Sequence, residues 1–375
     1  MKIADVRAFL IDPTTRKQRW VVSKPFLLVR VETDAGIAGW GEAFSLRDRE
    51  KSIAQNITSL GLYLKGRNPL RIKEFTQWAC TQFSEGRGAL ELLCAISGIE
   101  HALWDILGKH LNTPVYNLLG GPCRDRIRVY ANGWTSGAKT AKEMADRAAE
   151  VVSLGFNAIK LYPFQNDEPE RAIAENVRAV REAVGPGVDI LIDVWRRPEP
   201  AKSIRVAKMI QEYNVFWYEE PVPSENLDLL AEVRRSINLP IVTGECLYTK
   251  FDFREVLEKR AADILNPDVA SCGGILELKE IAAMAEPYYV RISPHNYNST
   301  AVGLAATIQV SAVIPNFVIT EYFVNFREVG DAIMINPFKV DEGYIRLPSA
   351  PGLGIDINEA LLTEHAFTGF ALRKW

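Results

Sequence analysis

No apolar run in this 375-residue chain reaches the roughly 18 residues that a bilayer-spanning helix needs. The amino terminus, MKIADVRAFLID, carries charges where a secretory leader would be apolar. Cysteine is scarce. Cys80, Cys94, Cys123, Cys246 and Cys272 are odd in number and show no CxxC spacing, so neither a disulfide framework nor a zinc site is indicated, and most read as buried apolar residues. A reducing cytoplasm is the expected setting. Excess charge is also missing: 44 basic against 47 acidic residues leave a net charge of −3. With no basic run or interleaved aromatic stripe, a nucleic-acid surface is excluded. No Pro/Gly/Ser-rich linker divides the chain, so its parts should share a tight interface.

What the sequence has is phase. Asp193 in IDVW, Glu219 in WYEEP and Glu245 in VTGE each close a short apolar run, and each follows the one before by 26 residues. That interval fits one strand, one helix and two short loops. In successive βα units the three carboxylates sit at the same end of adjacent parallel strands and converge, which makes a site for a hard divalent cation such as Mg²⁺. The step continues through Asp268 (ADILNPD), His295 (YYVRISPH) and Glu321 (NFVITE), at 23, 27 and 26 residues. Reading backwards, FNAIKLYP places Lys160 and Tyr162 on the preceding strand and RIRVYANGW places Trp134 near the one before. Eight such strands describe a (β/α)₈ barrel with its chemistry at the C-terminal face. An acidic residue after a strand is most often a helix N-cap or a loop residue. Six polar groups in phase outweigh that reading here.

A minimal barrel needs about 250 residues, so the surplus needs a place. Residues 1–125 alternate with the two-residue period of strands in MKIADVRAFLID and FLLVRVETDAGIAGWGEAF, with Asp34-Ala35-Gly36 as a hairpin turn. Helical segments are predicted near 51–64, 70–82 and 88–110. This α+β part precedes a barrel over 126–330, and 331–375, where FKVDEGYIRLP reads as strand and turn, is expected to complete the α+β part.

The segment from Ala95 to Lys109, AISGIEHALWDILGK, followed by PVYNLLG at 114–120, resembles the signature helix and turn of the mandelate racemase/muconate lactonizing enzyme family of the enolase superfamily. The resemblance covers nearly the whole chain. It implies an N-terminal α+β capping domain on a modified (β/α)₇β barrel of TIM type, one Mg²⁺ per active site at Asp193, Glu219 and Glu245, and abstraction of a proton next to a carboxylate. Such sites pair a metal with a Lys or His base. Here His295 is the candidate base, with Asp268 accepting its Nδ1 proton. The stretch after the sixth strand, NPDVASCGGILEL, contains no Lys, which favours the mandelate racemase branch over the muconate lactonizing branch. In that branch Glu321 corresponds to the residue that hydrogen-bonds the enediolate, a role requiring a protonated carboxyl; a loop carboxylate or salt-bridge partner is the alternative.

Departures from the branch pattern bear on the reaction. The racemases carry Lys-x-Lys where this chain has Lys160-Leu161-Tyr162, so Tyr162 takes the place of the second Lys. A phenol is a poor base at neutral pH but a serviceable proton donor, and Lys160 is expected to lower its pKa. Two residues beyond Asp193, where some acid-sugar dehydratases have a His acid, stands Trp195, expected to share the inward face as an apolar wall. Arg196 and Arg197 follow, either reaching the substrate with a planar fork or remaining solvated. Family resemblance assigns substrate choice to two loops, here 12–21, with Arg16, Lys17, Arg19 and Trp20, and 43–50, with Ser45, Arg47 and Arg49. Their basic character suits an anionic, hydroxylated small molecule.

The resulting expectation is an Mg²⁺-dependent lyase that dehydrates an aldonate or aldarate to a 2-keto-3-deoxy acid through an enediolate. An isomerase is the alternative, either a racemase or epimerase using His295 and Tyr162 or a sugar-acid lactone cycloisomerase. A catalytically degenerate binding or structural member of the fold is a third. Neither nucleic acid nor membrane is an expected partner, and the resemblance implies a homo-oligomer.

Overall fold

The computed structural model describes residues 1–12, 24–163, 168–196, 198–297, 299, 301–367 and 369. The chain opens with an antiparallel meander of β1 (Ile3–Ile11), β2 (Phe26–Thr33) and β3 (Ala38–Ala43). The predicted hairpin turn is present: Gly36 takes φ 76° and Thr33 N donates to Ile37 O at 3.0 Å. Helices α1 (Glu50–Leu64), α2 (Ile72–Trp78), α3 (Leu90–His110) and α4 (Val115–Leu118) follow, with a π-helical turn at Ala79–Phe83 extending α2. The first three match the predicted segments within about two residues once the π turn is included.

Seven strand–helix units and a final strand come next. They are β4 (Arg126–Asn132) and α5 (Ala141–Ser153), β5 (Ala158–Leu161) and α6 (Glu170–Val184), β6 (Asp189–Asp193) and α7 (Pro200–Ile210), and β7 (Val215–Glu219) and α8 (Leu227–Ser236). The sequence continues with β8 (Ile241–Thr243) and α9 (Thr249–Glu258), β9 (Ile264–Leu265) and α10 (Ile275–Ala285), β10 (Arg291–Ile292) and α11 (Ala301–Val313), then β11 (Thr320–Phe323). Among the described residues only a single 3₁₀ turn and the short α12 (Arg327–Ile333) follow β11 where an eighth full helix would lie. The parallel order runs β10-β9-β8-β7-β6-β5-β4-β11. Ile292 N donates to Asn316 O and Val318 N to Ile292 O, both at 2.9 Å, so the residues leading into β11 meet β10 and close the ring. This is the modified (β/α)₇β barrel with its antiparallel cap.

Helix sequences report what covers them. In α6, Ile173, Ala174, Val177 and Val180 form the buried stripe while charged residues face out, as the 3.6-residue period requires. In α11, AVGLAATIQVSAV, every residue is buried, because the helix lies between the barrel and the cap, with Gly303 N donating to Glu42 Oε2 on β3 at 2.7 Å. The C-terminal stretch divides its contacts. β12 (Tyr344–Arg346) pairs antiparallel with β4 of the barrel, whereas α13 (Glu359–Glu364) places Glu359 3.1 Å from Arg30 of the cap and Ala366 bridges Ile11.

Two layers of inward side chains fill the upper barrel, and the two-residue period of the strands separates them. The lower layer is apolar: Tyr130, Ala158, Leu191, Trp217, Val242, Ile264 and Ile319 form one buried cluster. Two residues further along each strand stand Asn132, Lys160, Asp193, Glu219, Gly244, Asn266 and Glu321. The polar layer therefore rests on a packed floor. Excluding water from below strengthens every electrostatic interaction above it.

Helix α3 joins the two parts. Ser97 Oγ accepts from Gly273 N at 3.0 Å, His101 Nε2 donates to Val269 O at 3.0 Å, and Glu100 accepts from Ile275 N and Leu276 N at 2.9 and 3.0 Å. Glu100, on the cap, thus caps the N-terminus of barrel helix α10, a placement the helix dipole favours. Gly274 makes this possible: it takes φ 103°, and a Cβ there would meet Glu100 Oε2 at 2.3 Å. Asp105 on the same helix accepts from Trp40 N at 2.9 Å, Leu353 N at 2.8 Å and Lys109 Nζ at 2.6 Å. The tight interface expected from the missing linker is present.

Candidate active site

Asp193 and Glu219 close β6 and β7 and are register partners, so the two carboxylates stand side by side. Glu245 reaches the same point differently, lying two residues beyond the end of β8. Gly244 takes φ 140°, where a Cβ would press on Phe253 at 2.7 Å, and this turn lets the next side chain face inward. One oxygen from each of the three carboxylates lies within 4.8 Å of the others.

Asp193 and Glu219 are fully buried and Glu245 partly so, and the positive charge is divided, with Lys160 beside the first two and Arg196 beside the third. Lys160 Nζ lies 3.1 Å from Glu219 Oε1, 3.4 Å from Asp193 Oδ2 and 3.1 Å from Glu321 Oε1. Burial opposes its charge, but Glu219 and Glu321 outweigh that and hold its pKa well above the ordinary lysine range. Burial pushes Asp193 up to about 6 and Glu219 well above the usual carboxylate range, with Lys160 only partly offsetting this. Crowded, desolvated carboxylates of this kind fit a bound cation, which relieves their repulsion. Three oxygen donors without thiolate or imidazole suit a hard divalent ion.

His295 faces the cluster from the opposite side. Its Nδ1 donates to Asp268 Oδ2 at 2.7 Å, and its Nε2 lies 3.1 Å from Glu245 Oε2 and 3.6 Å from Glu321 Oε2. Asp268 and His295 form an isolated parallel bridge, and His295 N donates to Pro267 O at 3.1 Å, so the dyad is fixed by backbone beyond the strand ends. Burial opposes a proton on His295, but Glu321, Asp268 and Glu245 outweigh it and raise its pKa well above the ordinary value.

The structure thus brings together Lys160, Tyr162, Asp193, Glu219, Glu245, Asp268, His295 and Glu321. Some expectations about them fail. Lys160 pulls the Tyr162 pKa down as expected, but burial outweighs it and raises the pKa well above that of free phenol, with Asp193 and Glu321 adding to the rise. Glu321 is not held protonated. Burial favours the proton, but Lys160 and His295 outweigh it and keep the carboxyl below its usual range, with Asn296 N donating to it at 2.9 Å. Trp195 does not continue the inward alternation of β6, because the strand ends at Asp193 and the indole, on a left-handed turn with φ 45°, is 45% exposed. Arg196 is engaged with carboxylates: it lies 3.1 Å from Glu245 and 3.4 Å from Glu220. Arg47 is half-buried on the turn before α1. Arg16, Lys17, Arg19, Trp20 and Arg197 lie outside the described residues.

Several site residues escaped the sequence reading. Asn132 Nδ2 donates to Tyr162 Oη at 2.9 Å and to Glu321 Oε1 at 2.5 Å, and Asn266 Nδ2 donates to Glu219 Oε1 at 2.9 Å. Trp217 Nε1 donates to Glu219 Oε2 at 3.1 Å. Strand alternation, counted back from Glu219 and Asp268, is a signal that could have found Trp217 and Asn266. Lys24 carried no such signal: its ammonium stands 3.7 Å over the Phe44 ring, and burial lowers its pKa to about 8 against the pull of Asp268 and Glu42.

The family models that match are Mandelate racemase / muconate lactonizing enzyme, N-terminal domain, over residues 2–120, and Enolase C-terminal domain-like, over residues 143–361. The chain is 33% identical to D-xylonate dehydratase of Haloferax volcanii, over 99% of this chain and 90% of that enzyme. It is 35% identical to D-galactonate dehydratase of Ralstonia pickettii, over 98% and 94%. Among solved structures, an enolase from environmental sequencing of the Sargasso Sea superposes with a TM-score of 0.93 at 32% identity, covering 98% of this chain and 97% of that one.

Proposed function

The chain belongs to the mandelate racemase / muconate lactonizing enzyme family, and we propose that it dehydrates an acid sugar, an aldonate or aldarate, to a 2-keto-3-deoxy acid. The observation that carries this reading is the His295–Asp268 pair, joined at 2.7 Å and facing the three clustered carboxylates. Asp193, Glu219 and Glu245 would hold one Mg²⁺, whose chemistry is to neutralise the charge that builds on a substrate carboxylate as the neighbouring proton leaves. His295 Nε2 takes the C2 proton, while Asp268 fixes the ring by accepting from Nδ1. For this Nε2 must first lose its own proton, so the carboxylates facing it must be engaged elsewhere. Glu321 has Lys160 and Asn132 for that purpose, and Glu245 has Arg196 and would have the metal it helps to hold.

The electron pair of the broken C2–H bond becomes the C2–C3 double bond as the C3–O bond breaks. The departing hydroxide takes a proton from Tyr162 or from re-protonated His295 and leaves as water, and the enol tautomerises to the keto acid. The raised Tyr162 pKa keeps the phenol protonated and so unavailable as a base, which weighs against epimerisation with acid/base groups on both faces. Lys160 supplies fixed positive charge beside the substrate carboxylate. Arg16, Trp20 and Arg47 are proposed contacts for the hydroxylated end of the substrate, with Trp195 at the mouth. We further propose the division 1–125, 126–330 and 331–375, a homo-oligomer as the family resemblance implies, and a cytoplasmic setting, which five free cysteines support. Among the described residues no helix is long and apolar enough to cross a membrane.

The test is proton NMR in D₂O with Mg²⁺ across a stereochemically complete set of aldonic and aldaric acids, comparing the protein with His295→Asn. The expected result is loss of a C2 proton signal with appearance of a deoxy methylene, slowed about 10³-fold in the variant. Exchange or inversion at C2 without loss of water would replace dehydration by epimerisation. No exchange with any compound would sink the acid-sugar reading.

A further inference from the structure

Three left-handed non-glycine residues stand just beyond the ends of β6 and β7: Trp195, Arg196 and Glu220, with φ 45°, 60° and 50°. Each such residue is costly and persists only where its surroundings enforce it, most often at functional sites. Here the surroundings are hydrogen bonds between neighbouring strand ends: Val194 N donates to Glu219 O at 3.1 Å, Arg196 N to Glu220 O at 2.9 Å and Glu220 N to Val242 O at 3.0 Å. The turn aims the Arg196 guanidinium sideways, across the ends of β7 and β8. There Nη2 lies 3.1 Å from Glu245 Oε1 and Nη1 lies 3.4 Å from Glu220 Oε2 and donates to Cys246 Sγ. Glu220 is fully buried, and its other oxygen accepts from Thr243 Oγ1 at 2.7 Å and from Gly244 N at 3.2 Å. The chain of contacts runs from the residue pair after Asp193, through the neighbour of Glu219, to the backbone just before Glu245.

We infer that Arg196 is a positioning residue for the metal site: its fork fixes the Glu245 carboxylate and restrains Glu220, a fourth buried carboxylate, from competing for the ion. This rests on the reading of Asp193, Glu219 and Glu245 as the metal ligands. Glu245 is gripped from both ends, by Arg196 at Oε1 and by His295 at Oε2. Its own strand ends two residues earlier and cannot orient it alone. Two carboxylates at once call for a planar, forked cation, which is a reason for Arg where a point charge would serve only one of them.

Mn²⁺ binding to the full-length protein, read by EPR of the free ion, tests this without turnover. Arg196→Gln is expected to weaken Mn²⁺ binding about 10- to 100-fold, the usual effect of removing a group that orients a ligand. Arg196→Lys should recover only a minor part of the loss, and adding Glu220→Gln to Arg196→Gln should relieve some of it. Unchanged affinity in Arg196→Gln overturns the proposal, as does full recovery with Lys, which would reduce the role to charge. Should Arg196→Gln fail to fold by circular dichroism, Arg196→Lys decides alone: a loss of about fivefold or more supports the role and no loss overturns it. Wild-type protein that binds no Mn²⁺ would remove the metal reading and this role with it, whereas Mn²⁺ binding abolished by Asp193→Asn but untouched at Arg196 would overturn this role only.

Discussion

The β5–β7 side of the barrel mouth and the β8–β10 side hold their functional groups by different means. On the first, strands of four or five residues carry Lys160, Asp193 and Glu219 as paired strand residues, and each stands two positions above a packed apolar residue. On the second, strands of two or three residues stop short, and Glu245, Asp268 and His295 project from the turns beyond them. Position there comes from side chains and cap contacts: the forked Arg196, the bridge between Asp268 and His295, and α3 gripping the loop that follows Asp268. The regular half holds Lys160 and two of the three clustered carboxylates; the irregular half holds the third and the proposed base. A base that must exchange its partners is better served by loops, whose local stability is set by a few hydrogen bonds, than by a rigid ladder.

This contrast can be broken at chosen points. The largest effect is expected on the loop side. Asp268→Asn should leave the fold and Mn²⁺ binding intact but slow C2-proton exchange about 10²-fold, because the ring of His295 loses its acceptor and preferred tautomer. NMR exchange rates measure this, and a rate near wild type would mean that the bridge backbone alone orients His295. On the ladder side, Trp217→Phe removes the indole that donates to Glu219. Mn²⁺ affinity should fall about 10-fold with little change in exchange at saturating metal. An unchanged affinity would show that strand register suffices.

The smallest effect on chemistry should come from the cap. Burial raises the Glu100 pKa from 4.5 to about 7, against the pull of the Leu276 and Ile275 amides and the Trp104 indole. Between those values the folded protein keeps a proton that the unfolded chain has lost, so this group's contribution to stability falls as pH rises through the window, by up to about 3 kcal/mol. Glu100→Gln should abolish that fall while leaving turnover near wild type. Denaturant unfolding at pH 5 and pH 7 compares the two proteins, and a wild-type stability that gains on the variant with rising pH would refute the assignment. His101, lowered to about 4 by burial, acts in the opposite sense below pH 6.5 but is common to both proteins and cancels.

The same contrast explains what could be read from the chain. The 26-residue step located Asp193, Glu219 and Glu245, and with them the barrel, because period and strand end are properties of sequence. It also located Asp268 and His295, although these lie beyond their strands, since the unit length is set by the helices as much as by the strands. Alternation failed where a strand had already ended, as at Trp195, whose left-handed turn no local residue type announces. The charge states of Tyr162 and Glu321 were illegible for another reason. They depend on which of Lys160, Asp193 and His295 comes within a few ångströms after burial, and that is a property of the closed barrel.

Helix α3 spends its polar side chains on both sides at once, Asp105 on the β3 backbone and the C-terminal segment, and Ser97, Glu100 and His101 on the loop and helix that follow β9. Melting the cap would therefore strip partners from buried amides of the barrel, and melting the barrel would strand a buried carboxylate in the cap. The two parts are thus expected to unfold together. The molecule should absorb heat in one transition whose calorimetric and van't Hoff enthalpies agree, a single cooperative unit despite its two architectures.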